Sequence, residues 1–204
     1  MKVLFATSNP AKVRNYKEEL SKKGIELLTL KDIDISIPVE ESGKNAIENA
    51  YIKAKAYYDE LGMPTIGMDN NLFIEGLPDE LQPGVFVRRI GGKELNDDEM
   101  IEYYTKLVKE YGGKLKARWV YGMVLITNNE TYEFNWSYND FYLVSEVNKK
   151  RNPGYPLDSI SIDEKTNKYF VDMTESDRKE NDKETSDKEV IEFILKSLKE
   201  SNLL

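Results

Sequence analysis

Apolar residues run unbroken through Val3-Leu4-Phe5 and then recur at Val13, Tyr16 and Leu20. The first pattern suits a buried strand and the second suits one face of a helix, so residues 2–7 are expected to be a strand and 10–22 a helix. Glu26-Leu27-Leu28-Thr29-Leu30 predicts a second strand, and 31–43 a loop broken by Pro38 and Gly43. Ala46, Ile47, Ala50, Tyr51, Ala54 and Tyr58 recur at helical spacing over 45–61, and Gly62 and Pro64 stop that helix. Thr65 to Met68 predicts a short strand closed by a turn at Asp69-Asn70-Asn71, since these residues favour turns. Residues 76–92, with Gly76, Pro78, Pro83, Gly84, Gly91 and Gly92, predict an ordered loop. A helix follows from Asp97 to Tyr111, ended by Gly112-Gly113.

Residues 117–127 predict a strand, Asn128-Asn129 a hairpin turn, and 131–144 an antiparallel return strand. Tyr132, Phe134, Trp136 and Tyr138 would share one face of the return strand. Residues 145–185 are polar and irregular, with one candidate strand at Lys168 to Asp172. Ser186 and Glu189 form a capping-box pattern for a last helix reaching Ser201, with Val190, Ile191, Ile194, Leu195 and Leu198 inward. Strands alternating with helices, plus one long hairpin, predict an α/β fold with a mixed sheet.

The junction Ala6-Thr7-Ser8-Asn9-Pro10-Ala11-Lys12 joins the first strand to the first helix. Asn9 is a good N-cap and Pro10 suits the first helical position, where a missing N–H costs nothing. Unsatisfied N–H groups and the positive end of the helix dipole then converge on the turn. Lys12, one turn in, adds a full charge. The junction reads as a phosphate cradle.

Composition narrows the chemistry. The chain of 204 residues suits one domain spanning 1–204, with room for two lobes. No apolar run approaches the roughly 18 residues that span a bilayer, and Met1-Lys2 leads straight into a strand, so a cytoplasmic protein without a signal peptide is expected. His and Cys are both absent, which excludes Ser-His-Asp and Cys-His catalysis and any thiolate or imidazole metal site. Carboxylates, Lys, Arg, Tyr and hydroxyls remain, and carboxylates prefer hard cations such as magnesium. A net charge of −8 argues against a general nucleic-acid surface. A small anionic ligand is still compatible where Lys and Arg converge.

Two further clusters carry candidate chemistry. Glu41-Ser42-Gly43 precedes the long helix, and Glu48 and Lys53 sit on its first turns. Glu41 or Glu48 would bind a cation while Lys53 reaches a phosphate; the alternative is an amphipathic helix with a polar face. Asp69 stands at the end of a predicted strand, where α/β sheets bind ligands. Thr7, at the end of the first strand, could face the same crevice, although Asp-Asn-Asn can equally be a plain turn.

These segments, in this order, resemble the Ham1-like (inosine triphosphate pyrophosphatase) family. FATSNPAKVRNYKEEL resembles the family's T-G-N-x-x-K opening, and EESGKNAIENAYIKAKA its E-T-G-x-x-x-x-E-N-A-x-x-K-A. GMPTIGMDNNLFIEGL resembles a strand ending A-D-D-S-G-L, and QPGVFVRRIGG resembles A-P-G-x-x-S-A-R-x-x-G. The resemblance implies a mixed, partly parallel twisted sheet with flanking helices, in two lobes around a central nucleotide cleft. It implies hydrolysis of non-canonical purine nucleoside triphosphates, such as those of inosine and xanthosine, to the monophosphate and pyrophosphate with Mg2+. By that carry-over Thr7, Ser8, Asn9 and Lys12 hold the triphosphate, Lys53 touches phosphate, Glu41 and Asp69 bind the metal, and Asp69 orients water. Arg89 matches the Arg of S-A-R. A homodimer is also compatible, although the aromatic stripe at 132–138 is better read as core.

The departures concentrate in the half that reads the base. Met68 replaces the first Asp of the family's pair, removing one carboxylate near the metal. The G-F-G-Y-D-P segment appears as Asn152 to Leu157 and keeps Gly154 and Tyr155 in register. The S-H-R segment appears as Ser186-Asp187-Lys188, with Lys183 upstream. Tyr155, Lys183, Asp187 and Lys188 are therefore the base-side candidates, and an altered base preference is expected. The alternative reading is a non-catalytic nucleotide-binding regulatory protein that keeps the fold.

Overall fold

A computed structural model of the chain describes residues 1–7, 9–128, 130–137, 140–180 and 183–204, with backbone alone at 10, 11, 15, 179, 180 and 183–186. In chain order the elements are β1 (Lys2–Phe5), α1 (Pro10–Lys22), β2 (Glu26–Thr29), α2 (Leu30–Ile33) and α3 (Ala46–Leu61). Then come β3 (Thr65–Ile74), β4 (Arg89–Ile90), β5 (Lys93–Glu94), α4 (Asp97–Glu110) and β6 (Lys114–Thr127). The chain continues through β7 (Glu130–Ser137), β8 (Phe141–Val144), β9 (Ser161–Asp163), α5 (Glu175–Glu180) and α6 (Lys183–Glu200). The result is a mixed, partly parallel sheet with flanking helices, as the alternation of patterns predicts.

The chain divides into two compact units. Residues Met1–Asn70, Tyr121–Trp136 and Thr185–Leu204 form the first, and Asn71–Val120 with Ser137–Glu184 the second. β3 and β6 each begin in one unit and end in the other.

In the first unit β1 pairs in parallel with β2, Lys2 opposite Glu26, and with β3, Leu4 opposite Thr65. Parallel neighbours require crossover connections, which α1 and α3 supply. α3 starts at an Asn45 cap whose side chain accepts the Glu48 N–H, and stops at Gly62 in the left-handed region. Its inward face is Ala46, Asn49, Ala50, Ala54 and Tyr57. The small residues let the backbones approach closely. A Cβ on Gly67 of β3 would lie 1.9 Å from the Ala50 carbonyl oxygen, and one on Gly122 of β6 would lie 2.7 Å from the Ala46 backbone. Both glycines are therefore demanded by the close fit of helix to sheet. Val124 and Ile126 complete the apolar contact with Ala50 and Ala54.

In the second unit β8 pairs antiparallel with β6, Lys114 opposite Val144, and with β9, Phe141 opposite Asp163. α4 has a reciprocal capping box between Asn96 and Glu99. It buries Met100, Ile101, Tyr104, Leu107 and Val108 against Leu72, Ile74, Phe141 and Leu143. The Tyr104 hydroxyl donates to the Val87 carbonyl at 2.8 Å, and burial pushes its pKa far up.

Several expectations are corrected. Asp69-Asn70-Asn71 is not a turn: β3 runs straight through it to Ile74, because Leu72 and Ile74 continue the buried pattern in the second unit. The predicted strand over 131–144 is two strands, β7 and β8. Residues 168–172 form no strand but a 3-10 turn, Phe170–Asp172, and the short β9 at 161–163 takes the sheet edge instead. The loop over 31–43 opens with the short helix α2, whose Thr29 and Asp32 form a local capping box. α6 begins at Lys183, so Ser186 lies inside it and is not its cap. The aromatic face of β7 packs inward within the first unit: Trp136 stacks on Tyr121 at 5.2 Å, and Phe134 on Phe193 of α6 at 5.2 Å. Tyr138 and Asn129 lie outside the described residues.

Candidate active site

The first unit gathers four charged side chains from four segments. Asn49 and Lys53 lie four residues apart on α3, which stacks them on one face. Gly67 and Asp69 alternate with Met68 along β3, so Asp69 projects on the side that meets α3. Asp69 uses both carboxylate oxygens there. Its Oδ2 accepts from the Asn49 side-chain amide at 2.9 Å, and its Oδ1 lies 3.4 Å from Lys53 Nζ. Glu41 Oε1 lies 3.3 Å from the same ammonium. Asp69 is 8% exposed and Asn49 is fully buried.

Lys12 of α1 completes the group. Burial, and then the neighbouring Lys53 charge, pull its pKa down to about 8, while Asp69 and Glu41 oppose that shift. An ammonium disfavoured by its surroundings in this way gains most from an added anion. At the head of α1, the Asn9 N–H donates to the Thr7 hydroxyl at 3.1 Å and the Lys12 N–H to the Asn9 carbonyl at 3.2 Å. α1 starts at Pro10, which leaves Asn9 in the capping position as expected. Ser8 lies outside the described residues.

Lys12, Glu41, Lys53 and Asp69 thus converge as the motifs suggest. Glu48 makes its contacts at the start of α3 instead. Its carboxylate accepts the Lys44 N–H at 2.8 Å and the Asn45 side-chain amide at 2.9 Å, which caps α3. Met68 is buried, and strand alternation puts it on the opposite face from Asp69. Asn49 is the residue that sequence reasoning missed. Its signal was present: a polar residue on the inward face of a helix, four residues before Lys53.

The remaining candidates lie on other segments. Arg89 and Tyr155 belong to the second unit. The Arg89 guanidinium sits over the Phe86 ring, 5.4 Å from its centroid. Tyr155 precedes the 3-10 turn Pro156–Ser159, and its N–H donates to the Asn152 carbonyl at 2.9 Å. Asp187 and Lys188 lie on α6, half-buried and exposed respectively. The Lys183 side chain lies outside the described residues.

The fold and site define an α/β protein with a mixed sheet and a buried acidic–basic cluster beside the start of α1. The chain belongs to the Ham1 family, whose model matches residues 3–186. A dITP/XTP pyrophosphatase of Thermus thermophilus is 38% identical over 125 residues, 61% of this chain and 59% of that protein. The matched stretch thus covers less than two thirds of that relative's length. A dITP/XTP pyrophosphatase of Aquifex aeolicus is 30% identical over 190 residues, 87% of this chain and 88% of that protein. The Ham1 protein of Staphylococcus aureus shares the fold with a TM-score of 0.74 at 20% identity, covering 97% of this chain and 99% of that one. A HAM1 protein from Coxiella burnetii does so at 0.78 and 19%, covering 96% and 99%.

Proposed function

We propose that this protein hydrolyses non-canonical purine nucleoside triphosphates, such as dITP and XTP, to the monophosphate and pyrophosphate with the help of Mg2+. The observation that carries the proposal is Asp69, held by Asn49 on one oxygen and Lys53 on the other, beside Glu41 and the depressed Lys12. The relatives named dITP/XTP pyrophosphatase support the substrate class.

The donor set fits a hard divalent cation. Glu41 and Asp69 offer two carboxylates on one ammonium, and Mg2+ characteristically takes one or two carboxylates plus substrate phosphates and water. Bound by Glu41 and Asp69, the ion would neutralise phosphate charge as it develops. The chain's own residues do the rest. Lys12 and Lys53 balance the two carboxylates, so these four side chains together are near neutral and a bound cation would tip them towards a polyanion. Asp69 spends one interaction per oxygen in the structure and retains acceptor capacity on both. It can therefore accept a proton of the attacking water and hold its lone pair towards phosphorus. Orientation and charge neutralisation are most of what phosphoryl chemistry asks of a protein. No step needs His or Cys.

Pyrophosphate release from a panel of common and deaminated nucleoside triphosphates, with Mg2+ and with EDTA, tests the proposal. Release that requires Mg2+ and ranks dITP and XTP above dGTP and dATP is expected. No release from a folded sample that still binds nucleotide would replace it with the non-catalytic reading.

A further inference from the structure

We propose that Asn49 is a positioning residue that sets the orientation of Asp69 and ties it to the loop carrying Glu41. The inference rests on the hydrolase reading above and names a further residue for that reaction. Asn49 is fully buried and uses both ends of its amide. Its Nδ2 donates to Asp69 Oδ2 at 2.9 Å, and its Oδ1 accepts the Gly43 N–H at 2.8 Å. Glu41, two residues before Gly43, meets Lys53 at 3.3 Å, and Lys53 meets Asp69 at 3.4 Å. The contacts close a ring: Asn49 to Asp69, to Lys53, to Glu41, and back along the chain through Gly43 to Asn49.

The ring has little slack. A Cβ on Gly43 would fall 2.7 Å from Asn49 Oδ1, so the loop runs flush against the amide. The amide also makes the two oxygens of Asp69 unequal. Oδ2 is held by a buried neutral donor, whereas Oδ1 faces the Lys53 ammonium, which is shared with Glu41. A neutral amide can do this without adding charge, and its planar geometry sets the carboxylate's rotation about χ2. An apolar residue of this size would pack in the same space but leave Asp69 Oδ2 and the Gly43 N–H unsatisfied.

The test uses the full chain and three readouts. Asn49→Ala removes both contacts. Asn49→Asp keeps the volume and an acceptor for Gly43 but removes the donor to Asp69. Both are expected to lower kcat about 10- to 100-fold, as loss of an orienting partner does. KM for the nucleotide should stay within about threefold, because ground-state binding is not what is lost. Wild-type kcat in Asn49→Asp with loss in Asn49→Ala would overturn the proposal, since Asn49 would then act through Gly43 alone. Retention in both folded variants would overturn it too, as would a rise of KM with kcat unchanged. The third readout needs no variant and no turnover: the Asn49 side-chain amide protons of the wild-type protein should be protected from solvent exchange by NMR. Fast exchange refutes the pairing. If the wild-type chain releases no pyrophosphate, the hydrolase reading fails by itself, and the amide protons still decide whether Asn49 holds Asp69.

Discussion

The same chemical pair occurs twice in this molecule, with different consequences. In the first unit Asn49 donates to Asp69 Oδ2 at 2.9 Å across 20 residues of sequence, fully buried. In the second, Asn152 donates to Asp158 Oδ2 at 2.7 Å across six residues, part-buried. The second pair closes a turn on itself: the Tyr155 N–H reaches the Asn152 carbonyl, and the Asp158 N–H reaches the Tyr155 carbonyl. Local pairing of this kind needs no tertiary support and serves to shape the chain. The first pair has to be assembled from a helix and a strand, and it holds a nearly buried carboxylate among other charges. Burying charge is costly, and a fold retains such a group where it has a use. What separates a candidate active site from a structural turn here is convergence from distant segments, not residue type.

The sharpest way to break this comparison is Asp69→Asn. Turnover should fall about 10²–10⁴-fold, the range for losing a group that handles the proton, while nucleotide binding by calorimetry changes little. Loss of folding instead would reduce Asp69 to a structural residue, like Asp158.

Lys12 gives the next largest effect. Burial and Lys53 lower its pKa to about 8 from an ordinary 10.5, so the ammonium is present below pH 8 and is lost above it. In EDTA, affinity for inorganic triphosphate should therefore fall as pH rises through 8, by up to about tenfold per unit. Lys12→Arg, which stays charged, should flatten that fall. Stability has the opposite sign. Between 8 and 10.5 the unfolded chain binds more protons than the folded one, so Lys12 adds stability as pH rises across that window. A triphosphate affinity independent of pH from 7 to 10 would remove Lys12 from the anion site.

A smaller effect is expected from the double substitution Asp187→His with Lys188→Arg. If these α6 residues read the base, activity on inosine triphosphate relative to guanosine triphosphate should rise about tenfold, the worth of one charge-assisted hydrogen bond. An unchanged ranking would assign both to the surface of the helix. The smallest effect is expected at the second Asn–Asp pair. Asn152→Ala should leave kcat within about twofold and cost about 1 kcal/mol in a urea melt, the net value of a part-buried hydrogen bond. A loss of kcat as large as that from Asn49→Ala would end the distinction between the two pairs.

Much of this was legible in the chain. Helical and strand periods placed α1, α3, α4 and β6, because each carries enough apolar repeats to override noise. Gly62 marked the end of α3 and Gly112-Gly113 the end of α4, whereas the caps at Asn45 and Asn96 emerged only in the structure. The motifs carrying Lys12, Glu41, Lys53 and Asp69 were legible because they keep the order and spacing of the Ham1-like pattern. The sequence misled where tertiary context outweighs local preference. Asp-Asn-Asn favours a turn in isolation, yet Leu72 and Ile74 are wanted in the core of the second unit, and the strand continues to reach them. The contacts of Glu48 with the Lys44 N–H and the Asn45 amide were not announced by its spacing from Lys53 either.

By itself, then, the sequence determined which residue types are available for chemistry, excluding imidazole and thiol outright, and where the main helices α1, α3 and α4 and the strands β1, β2 and β6 run. Only the tertiary structure decided which carboxylate is held and which caps a helix. It showed Asn49 as the link between Asp69 and the loop that carries Glu41. The reason is physical: periodicity is a property of neighbours three or four residues apart, whereas the pairing of Asp69 with Asn49 and Lys53 exists only once α3 is pressed onto β3 through Gly67, a closeness that no local pattern encodes.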